Sequence, residues 1–129
     1  MSSALVMIGR ILLGLFFVIS GLAKIKGGFD AGGLGGLAGY ITSKGLPQPL
    51  LLAYATIALE VVGGLAIVFG FLTMPVALVF AVFCLATAGL FHNFWAVPAE
   101  QFQPQFVNFM KNIGLAGAFL TLAGSSQRS

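Results

Sequence analysis

Charge is nearly absent from this chain. Of 129 residues, six are Lys or Arg and three are Asp or Glu, 7% in all, where ordinary globular domains carry about 25%. Hydrophobic residues make up 59% and mean hydropathy is +1.06. A soluble fold of this size has too little interior to hide so much apolar surface, so the bilayer must serve as solvent for most of it. The length admits one small membrane domain, 1–129, with no room for a separate soluble catalytic domain. The net charge of +3 comes from scattered residues, and no basic stripe for nucleic acid is present.

Cysteine and histidine are just as scarce, with one of each. The single Cys84 excludes an internal disulfide, a CxxC redox pair and a cysteine-rich metal site. The single His92 excludes bis-histidine haem ligation within the chain. No nucleotide-binding loop, flavin motif, sequence repeat or low-complexity tail is present. The expected inventory therefore holds no intrinsic cofactor and no metal site.

What is there is apolar length. Four segments, 4–23, 50–72, 74–92 and 106–124, are each close to the roughly 20 residues that cross a hydrocarbon core of about 30 Å. No alternating-strand pattern is visible, so helices are the only spanning option. The expected fold is an all-α, integral membrane four-transmembrane-helix bundle. The first segment is long, contains Arg10 and is followed by further spans, so it reads as a retained span and not as a cleaved signal peptide. Pro75 suits the first turn of the third span, which predicts a tight connection after the second. The glycine-rich stretch 24–49 predicts a short interfacial helix over 31–43 capped by Asp30. Residues 93–105 read as an aromatic and proline-rich connection with Trp95 as an interfacial anchor. Lys24, Lys26 and Lys44 on the loop side, against Arg10 and Arg128 on the terminal side, favour cytoplasmic connections and external termini.

Glu60 is the only charged residue between Gly45 and Phe91. A carboxylate at such depth costs on the order of 2.5–3.5 kcal/mol by insertion scales, so it has a partner or a task. A rise of 1.5 Å per residue places Glu60 roughly 15 Å from the loop side. The same count puts Arg10 roughly 9 Å from the terminal side and Lys111 roughly 8 Å from the loop side. Both cations are thus candidate partners of Glu60. Arg10 shares a helix face with Gly14, Phe17 and Gly21; Glu60 shares one with Thr56, Gly63, Gly64 and Ile67. Small-residue faces are where membrane helices approach closely, so the charges face inward. Two readings follow: a buried ion pair that only fixes helix register, or a binding site for a proton, a polar head group or a quinone.

His92 follows the third span and, with Trp95, Lys111 and Asn112, forms a second candidate, a head-group pocket. A histidine there can carry a proton or hydrogen-bond a quinone carbonyl. The bland alternative is an interfacial histidine beside an aromatic belt.

Gly9-Arg10-Ile11-Leu12-Leu13-Gly14, Ser20-Gly21-Leu22-Ala23-Lys24, Gly45-Leu46-Pro47 and Leu59-Glu60-Val61-Val62-Gly63-Gly64 resemble the DoxX family of small membrane proteins. His92-Asn93-Phe94-Trp95 and Phe109-Met110-Lys111-Asn112 are similar to that family's third- and fourth-span signature. The resemblance implies a four-helix protein of the bacterial plasma membrane, with Arg10, Glu60, His92 and Lys111 at recurrent polar positions. It also implies a redox connection, because related proteins include a subunit of thiosulfate:quinone oxidoreductase. Relatives that handle disulfides use cysteine pairs, and the single Cys84 argues against that chemistry here. The leading expectation is a redox-accessory protein that engages a quinone beside other membrane or redox subunits. The rivals are a non-catalytic structural subunit of a larger complex and a small-solute or proton conductor.

Overall fold

A computed structural model describes residues 3–26 and 33–126. The elements are α1 (Ser3–Lys26), α2 (Gly33–Ser43), α3 (Pro49–Ala58), a π-helical turn (Leu59–Gly63), α4 (Gly64–Phe69), α5 (Thr73–Phe91), a 3₁₀ turn (Phe94–Ala96) and α6 (Ala99–Ser126). Among the described residues there is no strand. Four segments among the described residues are long and apolar enough to cross a membrane: Ser3–Ile25, Pro49–Phe69, Thr73–Ala96 and Ala99–Ser126. The chain divides into two compact units, Met1–Leu72 and Thr73–Ser129. Asp30, expected to cap the short helix, and Arg128, expected to mark the terminal side, lie outside the described residues.

In the first unit α1 runs antiparallel to the continuous helix made by α3, the π turn and α4. The pairings fix the direction: Arg10 meets Ile67 and Val68, Gly14 meets Gly64, and Gly21 meets Glu60 and Val61. Gly14 and Gly64 mark the closest approach. A methyl group on Gly14 would come within 2.7 Å of the Gly64 carbonyl oxygen, and one on Gly64 within 2.9 Å of the Gly14 oxygen. Backbone on backbone leaves no side chain that could yield, and this is how small residues tighten membrane helix pairs. The short helix expected over 31–43 is α2; it packs on α1 and α3 and buries Leu37, Ala38 and Ile41. Pro49 starts α3 at a position where its missing N–H leaves no bond unmade.

The second unit is the antiparallel pair α5 and α6. Phe80 stacks on Phe119 (4.9 Å between ring centroids, 15° between planes), Thr87 meets Asn112 and His92 meets Gln105. The buried stripe of α5 is Ala77, Phe80, Ala81, Cys84 and Ala88, at the 3–4 spacing of a helix face. Alanines fill much of it, so the helices lie close.

α6 begins seven residues before the expected start of the fourth span and carries Pro104 inside it. Read as a sequence, 99–105 is a connection, because an interior proline removes a hydrogen bond and clashes with the preceding turn, at about 3 kcal/mol. Tertiary packing reverses that preference. Phe102 and Phe106, four apart on α6, stack at 5.7 Å and both meet Phe94 in perpendicular, edge-to-face contacts. Phe94 also meets Trp95 and Phe109 edge-on, and aromatic pairs contribute roughly 0.5–1.5 kcal/mol each beyond area burial. Glu100 in the first turn adds a favourable charge at the helix start.

Candidate functional site

The site is built where α1 crosses the π turn. A methyl group on Gly21 would meet Val61 Cγ2 at 2.7 Å and Glu60 Cβ at 3.0 Å, so α1 lies directly on the turn that carries Glu60. Glu60 is 3% exposed. Its Oε1 accepts from Lys24 Nζ at 2.9 Å and from Ser20 Oγ at 3.1 Å, and Lys24 Nζ also donates to Ser20 Oγ at 2.8 Å. Ammonium, hydroxyl and carboxylate thus close a three-membered ring of hydrogen bonds. The Lys24 side chain is 20% exposed and that of Glu60 is 4% exposed, which puts the lysine at the accessible edge and the acid behind it.

The partner of Glu60 is therefore Lys24, where depth counting had named Arg10 and Lys111. The reason is side-chain direction. Every Cα–Cβ bond of a helix tilts toward the helix N-terminus. On α1 that tilt carries Lys24, near the end of the helix, inward by one turn to the level of Ser20. It carries Arg10 in the same direction, which from that end of the helix leads away from Glu60. Counting depth from Cα positions omits this tilt. The face already defined by Arg10, Gly14, Phe17 and Gly21 reaches Lys24 at its next step of three, so the signal was in the sequence, cut off by ending the span at residue 23. Ser20 lies one residue beside that face and became visible only through its bonds.

The π turn had no sequence signal. Hydrogen bonds there run from i to i+5, which widens the helix at Glu60 and shifts the ladder by one residue, and such insertions concentrate at functional sites. Buried ion pairs are expensive to desolvate and hold only with good geometry and further hydrogen bonds. The Ser20 hydroxyl supplies the further bond.

Arg10 does different work. Its Nη1 donates to the carbonyls of Ile67 at 2.8 Å and Val68 at 2.9 Å, two turns beyond Glu60. α4 ends in a Schellman motif: Phe71 N–H donates to Ala66 O at 2.8 Å and Gly70 N–H to Ile67 O at 3.2 Å. Gly70 is needed twice over. Its φ is +75°, and a methyl group there would stand 2.6 Å from Arg10 Nη1. The guanidinium thus supplies the positive charge that a helix C-terminus favours.

In the second unit the polar groups that are inside are neutral. Asn112, 8% exposed, donates through Nδ2 to Thr87 Oγ1 at 3.1 Å, and Thr87 donates to the Cys84 carbonyl at 3.2 Å. His92 Nδ1 lies 2.9 Å from Gln105 Oε1, which makes Nδ1 the protonated nitrogen in this amide orientation. Lys111 is exposed on α6, and as the neighbour of buried Asn112 it does not share that residue's face. Trp95 is 62% exposed and packs edge-on against Phe94 and Phe109. The head-group pocket expected from His92, Trp95, Lys111 and Asn112 thus distributes over different faces: Asn112 serves the helix contact, and Lys111 and Trp95 face outward.

Fold and site together define a multi-pass α-helical membrane protein with a charged cluster built into a helix crossing. The chain belongs to the DoxX family, which it matches over residues 5–93. That match contains Arg10, Ser20, Lys24, Glu60 and His92, and stops before α6. The chain is similar to inner membrane protein YphA of Escherichia coli strain K12, with 40% identity over 119 residues that cover 92% of this chain and 81% of that one. It is similar to inner membrane protein YqjF of the same strain, with 40% identity over 118 residues and the same coverage of each chain. These relatives place the protein among multi-pass inner-membrane proteins. No solved structure matches it.

Proposed function

We propose that the protein is a redox-accessory component of the inner membrane whose Ser20–Lys24–Glu60 cluster holds the carbonyl-bearing ring of a quinone. The observation that carries this reading is the buried Lys24–Glu60 pair, 2.9 Å apart, set at a π turn. Register does not need the pair. The Gly14–Gly64 approach and the two Arg10 bonds already hold α1 on α4. A quinone is lipid-soluble, carries two acceptor carbonyls and takes up protons on reduction. The cluster offers the Lys24 ammonium as donor and proton source, held by the Ser20 oxygen and by the Glu60 carboxylate, which can take up a proton from outside and pass it on. The electrons come from partner subunits, so the role is that of an accessory site and not of a complete enzyme.

The test is titration of decylubiquinone into the purified protein in nanodiscs, compared with Glu60→Gln. Glutamine keeps the shape and the acceptor for Lys24 but loses the charge. Binding weakened about tenfold or more, with the fold retained, supports the reading. Unchanged quinone binding and unchanged partner recovery from native membranes overturn it. Loss of thermal stability alone assigns the pair to helix packing, the role of a non-catalytic subunit.

A further inference from the structure

The cap on α4 leaves half of a guanidinium unused. Arg10 spends Nη1 on Ile67 and Val68, and among the described residues no other hydrogen bond or carboxylate engages the group. A helix C-terminus offers only about half an elementary charge, so the dipole does not neutralise the arginine. The Nη2 and Nε donors form the outer edge, a planar fork that matches a phosphate bidentately.

Its level in the membrane is set by what it touches. The span Pro49–Phe69 has 21 residues, about 31 Å of helix, which equals the hydrocarbon thickness. Arg10 reaches the last turn of that span, so its guanidinium lies at the boundary where lipid phosphates begin. The turn it leans on is apolar and outward-facing: Phe69 is 78% exposed, Phe71 65% and Leu72 58%. A cation at the hydrocarbon boundary, with large exposed apolar side chains at the end of the same span, offers a phospholipid partners for its phosphate and for the top of its acyl chains.

We infer that Arg10, with the Phe69–Leu72 turn, binds the phosphate of an anionic phospholipid at the end of the membrane opposite the Lys24 side. The site is independent of the quinone reading, sharing no residue with it. Native mass spectrometry of the full chain released from nanodiscs of phosphatidylcholine and phosphatidylglycerol tests it. The wild type is expected to retain phosphatidylglycerol about tenfold better than phosphatidylcholine, and Arg10→Gln to lose that preference; Lys111→Met, which removes an exposed cation outside the site, should keep it. An equal preference in Arg10→Gln, or none in the wild type, overturns the inference. Should Arg10→Gln unfold, the wild type alone still decides, through added inorganic phosphate. Displacement of the lipid at millimolar phosphate shows that free phosphate is the ligand and overturns the lipid assignment; retention of the lipid supports it.

Discussion

The two units of this protein are equally apolar and are held together by opposite means. In the first, formal charges are inside: Lys24 and Glu60 pair beneath the surface, Arg10 caps α4, and backbone meets backbone at Gly14 and Gly64. In the second, the interior is rings and alanines, with a neutral Asn112–Thr87 bond, and the cation Lys111 faces outward. Helix pairing in a membrane therefore does not require charge, since α5 and α6 pair without it. The charges of the first unit are surplus to packing, and that surplus is what makes it the candidate functional half.

The strongest way to break this contrast is Lys24→Met. It leaves Glu60 buried with only the Ser20 hydroxyl, and stranding one member of a buried pair costs about 3–5 kcal/mol. Thermal unfolding in detergent should show that loss, while Lys24→Met/Glu60→Leu should recover most of it. A double variant no more stable than the single one would mean that the cluster is needed for packing after all.

Gly14→Ala comes next. Its added methyl meets the Gly64 oxygen and the Val68 nitrogen at 2.7 and 2.8 Å, neither of which can rotate away. Overpacking costs about 1–3 kcal/mol, and backbone neighbours place this one near the upper end. Cysteine crosslinking between α1 and α4 would report the displaced helix; an unshifted crosslinking pattern would show that the approach is looser than drawn. In the second unit Phe119→Ala should be milder. Lipid is as apolar as the protein interior, so the transfer part of the loss largely vanishes. The cavity part remains, about 24 cal/mol per Å³, or roughly 2 kcal/mol for a ring. Thermal unfolding of the variant measures it.

The spans and the inward turn of Glu60 were legible because apolar length and small-residue faces are local properties of the sequence. The pairing of Glu60 was not, because it depends on side-chain tilt as well as depth: Lys24 and Arg10 sit on one face of α1 and point the same way along it, so one enters the site and the other leaves it. The π turn has no compositional mark at all. The early start of α6 was hidden for a different reason, since Pro104 argues locally against helix while the packing of Phe102 and Phe106 on Phe94, outside the helix, settles the matter.

The smallest effect sharpens the comparison most. Thr87→Val keeps the shape of the side chain and removes the acceptor for Asn112 Nδ2. Were hydrogen bonds in lipid worth their vacuum strength, this change would rival the loss of Lys24. Measured interhelical hydrogen bonds average only about 0.6 kcal/mol, because the unfolded chain in the membrane also finds partners. A buried ammonium–carboxylate pair has no such substitute, since a stranded charge cannot be satisfied by a stray carbonyl or hydroxyl. Thr87→Val should thus shift unfolding by well under 1 kcal/mol, several-fold less than Lys24→Met, in a denaturation series run in the same detergent. Equal shifts would mean that neutral and charged contacts hold these helices alike, and the case for a distinct charged half would fall with that result.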